Sequence, residues 1–295
     1  MSQKQIYPAP SVLVLLGLLI GNVALAFGPF MVRQADVGPS ASAFWRMALA
    51  IPFLFLITRA ARQPLTLPRS TLYWTMVLSG AFFAADLAAW HIGILKTKLA
   101  NATLFANSAS LFFPVWGFIV ARAWPGRWEG AAFALAIAGT TLLLGRSAEL
   151  SHDTLIGDLL CLSAGIFYTG YLVIIAKSRG EMGSWTLLAW STLATAPPLL
   201  AIALALGEQV MPTDWSWVIG LAVISQLLGQ GLMVWLLGKV SPLLFGLALL
   251  TQPVVSATVG WFGYGERLGL LDWAGAALIA SALILVRLAE GTGKA

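Results

Sequence analysis

Residues 72–94 read LYWTMVLSGAFFAADLAAWHIGI, 23 positions in which Asp86 and His91 are the only ionisable groups apart from the phenol of Tyr73. A bilayer core is crossed by roughly 20 apolar residues in a helix. Inside lipid every backbone N–H and C=O must find its partner within the chain, so a run of this length is a spanning helix. It lacks the alternation of apolar and polar residues over about ten positions that marks a membrane β-strand.

The same reading extends along the chain, giving spans at about 11–32, 40–58, 72–94, 98–121, 128–145, 155–176, 184–206, 215–238, 241–264 and 271–288. The linkers are short, and no remaining segment is long enough for a water-soluble domain. Composition agrees: of 295 residues 59% are hydrophobic and only 10% charged, against about 25% charged in soluble domains. The expected fold is an all-α polytopic membrane protein of ten transmembrane helices. Lys4, the apolar run after it and Ala24-Leu25-Ala26 look like a secretory signal, but the run is long for one and is read as a retained first span.

With the N-terminus in the cytoplasm, 11 basic residues fall on that side: Lys4, Arg59, Arg62, Arg69, Arg122, Arg127, Lys177, Arg179, Lys239, Arg287 and Lys294. Five fall opposite: Arg33, Lys96, Lys98, Arg146 and Arg267. The positive-inside rule places both termini in the cytoplasm of a bacterial inner membrane. This scatter through short loops explains the net charge of +5 without nucleic acid. Trp124 and Trp128 flank one face and Trp215, Trp217 and Trp273 the other, as interfacial anchors. Cys161 is the single cysteine, so an internal disulfide is excluded and no Cys cluster could bind a metal; no cofactor is expected.

The two halves overlay. Gly21 matches Gly165, Trp45 matches Trp190, Pro52 matches Pro197, Gly80 matches Gly220, Pro114 matches Pro253 and Gly130 matches Gly275, at offsets between 139 and 145. Residues 1–150 and 151–295 are thus expected to be five-helix repeats. Five is odd, so the second copy enters the membrane from the opposite side. Inverted repeats of this kind build many secondary transporters, with the site near the midplane between them.

An ionisable group inside a span is a functional candidate. Asp86 is the one deep acid, with Trp90 one turn on and His91 beside it. The repeat sets Asp86 against Gln226 and Trp90 against Gln230. Asn101, Asn107 and Ser110 precede Pro114, and Gln252 precedes Pro253; each proline leaves a carbonyl, that of Ser110 or Leu249, without its helical donor. Tyr168 adds a polar group from span six. The candidate cavity residues are therefore Asp86, Trp90, His91, Asn101, Asn107, Ser110, Tyr168, Gln226, Gln230 and Gln252, with Pro114 and Pro253 as kinks for gating. Asp86 suits a substrate ammonium group or a proton. Arg46, two turns inside its span, could bind a substrate carboxylate, snorkel to the outer surface or pair with an acid, and the structural role is favoured. Gly17 and Gly21 form a small-residue pair suited to close packing within the monomer.

Thr251-Gln252-Pro253-Val254-Val255, Gly263-Tyr264-Gly265-Glu266-Arg267-Leu268, Asp272-Trp273-Ala274-Gly275-Ala276 and Phe44-Trp45-Arg46-Met47-Ala48 resemble the drug/metabolite transporter superfamily in its EamA-like branch, and within it the YddG-type amino-acid exporters. Ala123-Trp124-Pro125-Gly126 departs from the pattern, standing where a Gly-Glu pair would be. The resemblance implies export of amino acids, aromatic and apolar ones among them, or related small metabolites. Its partners would be that small molecule, protons if transport is coupled, and the lipid bilayer. Drugs, nucleosides and other metabolites are the alternative substrates in that superfamily; a channel or scaffold is a more distant alternative. An intramembrane enzyme is disfavoured. Only His91 and His152 are available as histidines, no His-Glu-x-x-His occurs, and Asp86 has no second acid within the membrane.

Overall fold

The computed structural model describes residues 10–66, 70–97, 99–122, 124–145 and 152–264, and residues 270, 273–275, 277–278, 281–282 and 284–285 of the C-terminal stretch. The described chain is helical. Its helices are α1 (Val12–Ala26), α2 (Gly28–Gln34), α3 (Pro39–Ala60), α4 (Ser70–Lys96), α5 (Leu99–Ala106), α6 (Ala109–Ala121), α7 (Arg127–Gly145), α8 (His152–Ser178), α9 (Ser184–Ala205), α10 (Ser216–Gly220), α11 (Gly231–Leu236), α12 (Pro242–Leu249) and α13 (Thr251–Tyr264), with a π-helical segment, Leu221–Gln230, joining α10 to α11. The described residues form no β-strand beyond a single bridge between Leu237 and Val240.

Among the described residues, seven stretches are long and apolar enough to cross a membrane: Val12–Gln34, Pro39–Ala60, Ser70–Lys96, Leu155–Ser178, Ser184–Ala205, Ser216–Leu236 and Pro242–Gly263. Of the other three expected spans, 98–121 is divided at Asn107–Ser108 into the short helices α5 and α6, 128–145 corresponds to α7, and 271–288 lies largely outside the described residues.

Helix breaks follow local chemistry. Ser11 caps α1, its hydroxyl accepting from Val14 N at 3.4 Å, as N-cap serines do. Ser241 does the same for α12, with Leu244 N at 3.1 Å and Pro242 in the first turn. Pro253 does not kink a continuous helix. The helix stops at Leu249, and Pro253 occupies the third position of α13, where a missing N–H removes no intrahelical bond. Pro114 does sit inside α6. There the Ser110 carbonyl and the proline ring lie against Gly246: a Cβ at 246 would stand 2.7 Å from that oxygen and 2.5 Å from Pro114 Cγ. Glycine lets α12 cross α6 at this close range.

In lipid, helices associate through close packing of small residues and buried polar contacts rather than by escaping water. Gly80 of α4 fits this: a Cβ there would lie 2.5 Å from Ala194 Cβ of α9. The interior is filled by Met47, Leu54, Phe83, Leu87, Tyr171, Leu172, Leu188, Leu199 and Phe245. Leu13, Leu16, Leu56, Leu78, Ile119, Leu159, Leu204 and Phe262 are exposed apolar residues, as expected of a lipid-facing surface.

α3 and α9 pack together and match in detail. Each is 22 residues long. Each starts after an extended glycine, Gly38 or Gly183, and each is followed by a left-handed residue, Arg62 at φ 54° or Gly207 at φ 64°. The loop after each helix caps the start of the other. Glu208 Oε2 accepts from Ala41 N at 2.9 Å, and Gln63 Oε1 accepts from Trp185 N at 3.0 Å and Thr186 N at 3.2 Å. The pair runs antiparallel, so these caps lie at its two ends.

Candidate functional site: a polar cavity between the halves

α4 brings Phe83, Asp86, Leu87 and Trp90 onto one face by the i, i+3, i+4, i+7 rule. All four line a cavity, together with Leu25, Arg46, Ala106, Asn107, Tyr168, Gln230 and Gln252. Its walls come from α1, α3, α4, α5, α8, the π segment and α13, with Asn107 at the α5–α6 break. Both halves of the sequence contribute.

A hydrogen-bonded frame holds the polar wall. Tyr168 Oη donates to Gln230 Oε1 at 3.2 Å, and Gln230 Nε2 donates to Tyr171 Oη at 3.3 Å. Gln252 Nε2 donates to Asn22 Oδ1 at 2.8 Å, and Asn22 Nδ2 donates to Leu18 O at 2.8 Å. Asn107 Nδ2 donates to Thr103 O at 2.6 Å. Each tether satisfies part of an amide whose desolvation would otherwise cost about 1–3 kcal/mol.

Arg46 is 2% exposed. Its Nε donates to Gln226 Oε1 at 3.3 Å, and Gln226 Nε2 donates to Thr192 Oγ1 at 3.0 Å. Asp86 is 7% exposed, on the same cavity. Among the described residues Arg46 and Asp86 form no ion pair, and Arg46 Nη1 and Trp90 Nε1 are buried without hydrogen-bond partners.

Of the residues singled out in the sequence, Asp86, Trp90, Asn107, Tyr168, Gln230 and Gln252 are brought together on the cavity. Gln226 stands behind it, on Arg46. His91 is elsewhere: Nδ1 contacts Ser42 Oγ at 2.8 Å and the Pro39 carbonyl at 3.2 Å, tying α4 to the start of α3. Ser110 is buried in α6 and lies outside the lining, as do Pro114 and Pro253. The side chain of Asn101 lies outside the described residues. Arg46, for which the sequence favours a structural role, lines the cavity. Phe83 and Leu87 also went unmarked, although their spacing from Asp86 put them on its face.

Residues 155–288 match the EamA-like transporter family. Two uncharacterized transporters of Archaeoglobus fulgidus are 26% and 25% identical over 182 and 154 residues; the matches cover 61% and 52% of this chain and only 61% and 54% of theirs. A probable amino-acid metabolite efflux pump of Salmonella typhimurium is 26% identical over 251 residues, covering 81% of this chain and 82% of that one. A solved crystal structure shares the fold at TM-score 0.74 and 17% identity, over 96% of this chain and 98% of its own. Residues 155–288 are thus similar to the EamA-like transporter family, and the described residues include several helices long and apolar enough to cross a membrane.

Proposed function

We propose that this chain is a secondary transporter that exports amino acids, apolar and aromatic ones and similar small metabolites, from the bacterial cytoplasm by alternating access. The observation that carries this reading is the cavity around Asp86, lined from both halves and holding that acid and Arg46 among aromatic and amide side chains. An acid at mid-membrane costs about 2.5–3.5 kcal/mol. A ligand ammonium group would offset that cost. Phe83, Trp90 and Tyr168 supply aromatic surface for a side chain and attract a cation.

Alternating access rests on a two-fold construction, with 1–150 and 151–295 as inverted five-helix repeats and ten spans in all. The reciprocal caps of α3 and α9 support it. So does the packing scheme: α4 against α8 is echoed by α1 against the π segment, α4 against α9 by α3 against the π segment, and α6 against α8 by α1 against α13. Two halves that exchange under such a rotation have inward- and outward-open states close in energy. Export as the direction is supported by the Salmonella typhimurium relative, named as an efflux pump. Both termini are assigned to the cytoplasm and the working unit to a monomer.

The test is counterflow of a panel of labelled amino acids in proteoliposomes without a pH gradient, for the wild type and Asp86→Asn. Saturable counterflow in the wild type and its loss in Asp86→Asn are expected. No counterflow of any amino acid would end the amino-acid reading and turn the search to drugs, nucleosides and other metabolites.

A further inference from the structure

Arg46 is held in an arrangement that packing alone does not require. The guanidinium has five N–H donors in a rigid fork. Nε is spent on Gln226 Oε1, while Nη1 is buried with no hydrogen-bond acceptor. Leaving a charged donor unmet in this way is costly. Gln226 is instead turned by Thr192 so that its carbonyl oxygen meets Nε, on one edge of the fork. That contact is neutral, so it orients the cation without discharging it.

The groups facing Arg46 across the cavity are Asp86 on α4, Asn107 at the α5–α6 break, Tyr168 on α8, Gln230 on the π segment and Gln252 on α13. Asp86 is the sole acid among them, and the two charges form no ion pair. The cavity thus presents a cation and an anion that attract each other without direct contact, with the apolar surfaces of Phe83, Leu87 and Trp90 beside them. A molecule with a planar carboxylate, an ammonium group and an apolar side chain matches all three features. A guanidinium fork fits a carboxylate by paired N–H···O bonds, and an ammonium group fits Asp86.

Building on the transport reading above, we infer that Arg46 binds the substrate carboxylate, so that Arg46 and Asp86 together select the free zwitterion of an α-amino acid. Gln226 and Thr192 are positioning residues for Arg46. Amines, N-acylated amino acids and esters are excluded, because each leaves one buried charge unmet.

The test is competition against labelled phenylalanine counterflow by phenylalanine, phenethylamine (no carboxylate) and 3-phenylpropionate (no ammonium). If phenylalanine is not carried, leucine, isopentylamine and 4-methylpentanoate replace them. Wild type is expected to favour the zwitterion at least tenfold over either analogue. Arg46→Gln is expected to raise KM at least tenfold and to abolish the preference over phenethylamine while keeping the preference over 3-phenylpropionate; Arg46→Lys keeps part of it. A purely structural Arg46 would lower the maximal rate and leave these ratios unchanged, which would overturn the inference. Equal competition by phenethylamine and phenylalanine in the wild type would also overturn it, whether or not the variants fold. Absence of all amino-acid counterflow in the wild type is a different failure, that of the transport reading itself.

Discussion

Trp45 and Trp190 make the same hydrogen bond at opposite ends of one helix pair. Trp45 Nε1 donates to Val210 O at 2.6 Å, and Trp190 Nε1 donates to Leu65 O at 2.9 Å. Donors and acceptors both differ by 145 in sequence (190 less 45, and 210 less 65). The caps from Glu208 and Gln63 share this offset, and so do Gly38 and Gly183. A sequence match between two tryptophans is weak alone. Here both members of the pair, and the atoms they bind, correspond.

The two tryptophans differ in their surroundings, so their replacement by phenylalanine separates the bond from its context. Trp45 also packs edge-on against Trp215, with ring centroids 4.9 Å apart, and its bond is part-buried, whereas that of Trp190 is exposed. A net hydrogen bond contributes about 0.5–1.5 kcal/mol. Trp45→Phe is expected near the upper value and Trp190→Phe near the lower one, measured by denaturation in mixed detergent. Equal losses would show that the surroundings of the two bonds do not set their strength.

Arg62 and Gly207 offer a second comparison across the repeat. Both are left-handed, but only Gly207 is free of a Cβ. For other L-residues that conformation costs roughly 1–2 kcal/mol. Arg62→Gly is expected to stabilise the protein by about 0.5–1 kcal/mol, after allowing for glycine's greater freedom when unfolded. Gly207→Ala is expected to destabilise it by about 1 kcal/mol. Thermal unfolding in detergent reads both, and a destabilised Arg62→Gly would mean that the arginine side chain contributes more than its backbone costs.

Much of this architecture is legible in the sequence because hydropathy acts over whole spans and the polar residues within them are few. Asp86, Trp90 and Gln230 stand out as exceptions to an apolar background, and they meet on one cavity. The break at Leu250 was not legible, since Pro253 alone is compatible with either a kink or a fresh helix start. The π-helical turn through Gln226 and Gln230 leaves no compositional mark. For Arg46 the sequence leaves packing and binding both open: which of them a membrane arginine does depends on how many of its donors are met, and one is taken by Gln226, 180 positions away. His91 was the converse case: its Nδ1 contacts Ser42 and Pro39 on the neighbouring helix, away from the cavity lining.

The loop between α2 and α3 carries a pH-sensitive latch. Asp36 Oδ2 accepts from Thr213 N at 2.8 Å and Asp214 N at 3.1 Å, tying that loop to the one after α9. The Thr213 and Asp214 hydrogen bonds hold the Asp36 carboxyl below its ordinary value of 3.8. A depressed carboxylate stabilises the folded state above its unfolded value, and the contribution is lost as pH falls through the folded one. The latch is therefore expected to be constant from pH 8 to 5 and to loosen below about pH 4. Hydrogen-exchange protection of the Thr213 amide, corrected for its intrinsic rate, reads this directly. Asp36→Asn should flatten the dependence; a loop that loosens equally in that variant would assign the effect to another group.

Asn22 and Gln252 close the cavity on the side of α1. Gln252 lines the central cavity, while Asn22 lines a second, mainly apolar cleft bounded by Leu15, Leu18, Leu19, Leu244, Ala248, Thr251 and Ile284. Their 2.8 Å bond stands between the two spaces. Polar contacts between membrane helices average about 0.6 kcal/mol and reach about 1.7, and this one is buried at both ends. Gln252→Leu is expected to cost near the upper figure, because it strands Asn22 Oδ1. The double variant Asn22→Leu with Gln252→Leu should cost less than the two singles added together, since no polar atom of the pair is then left unmet. Strict additivity in a double-mutant cycle would show that the two amides do not interact, and that α1 is held against α13 by packing and by the bond from Ser256 Oγ to Ala26 O.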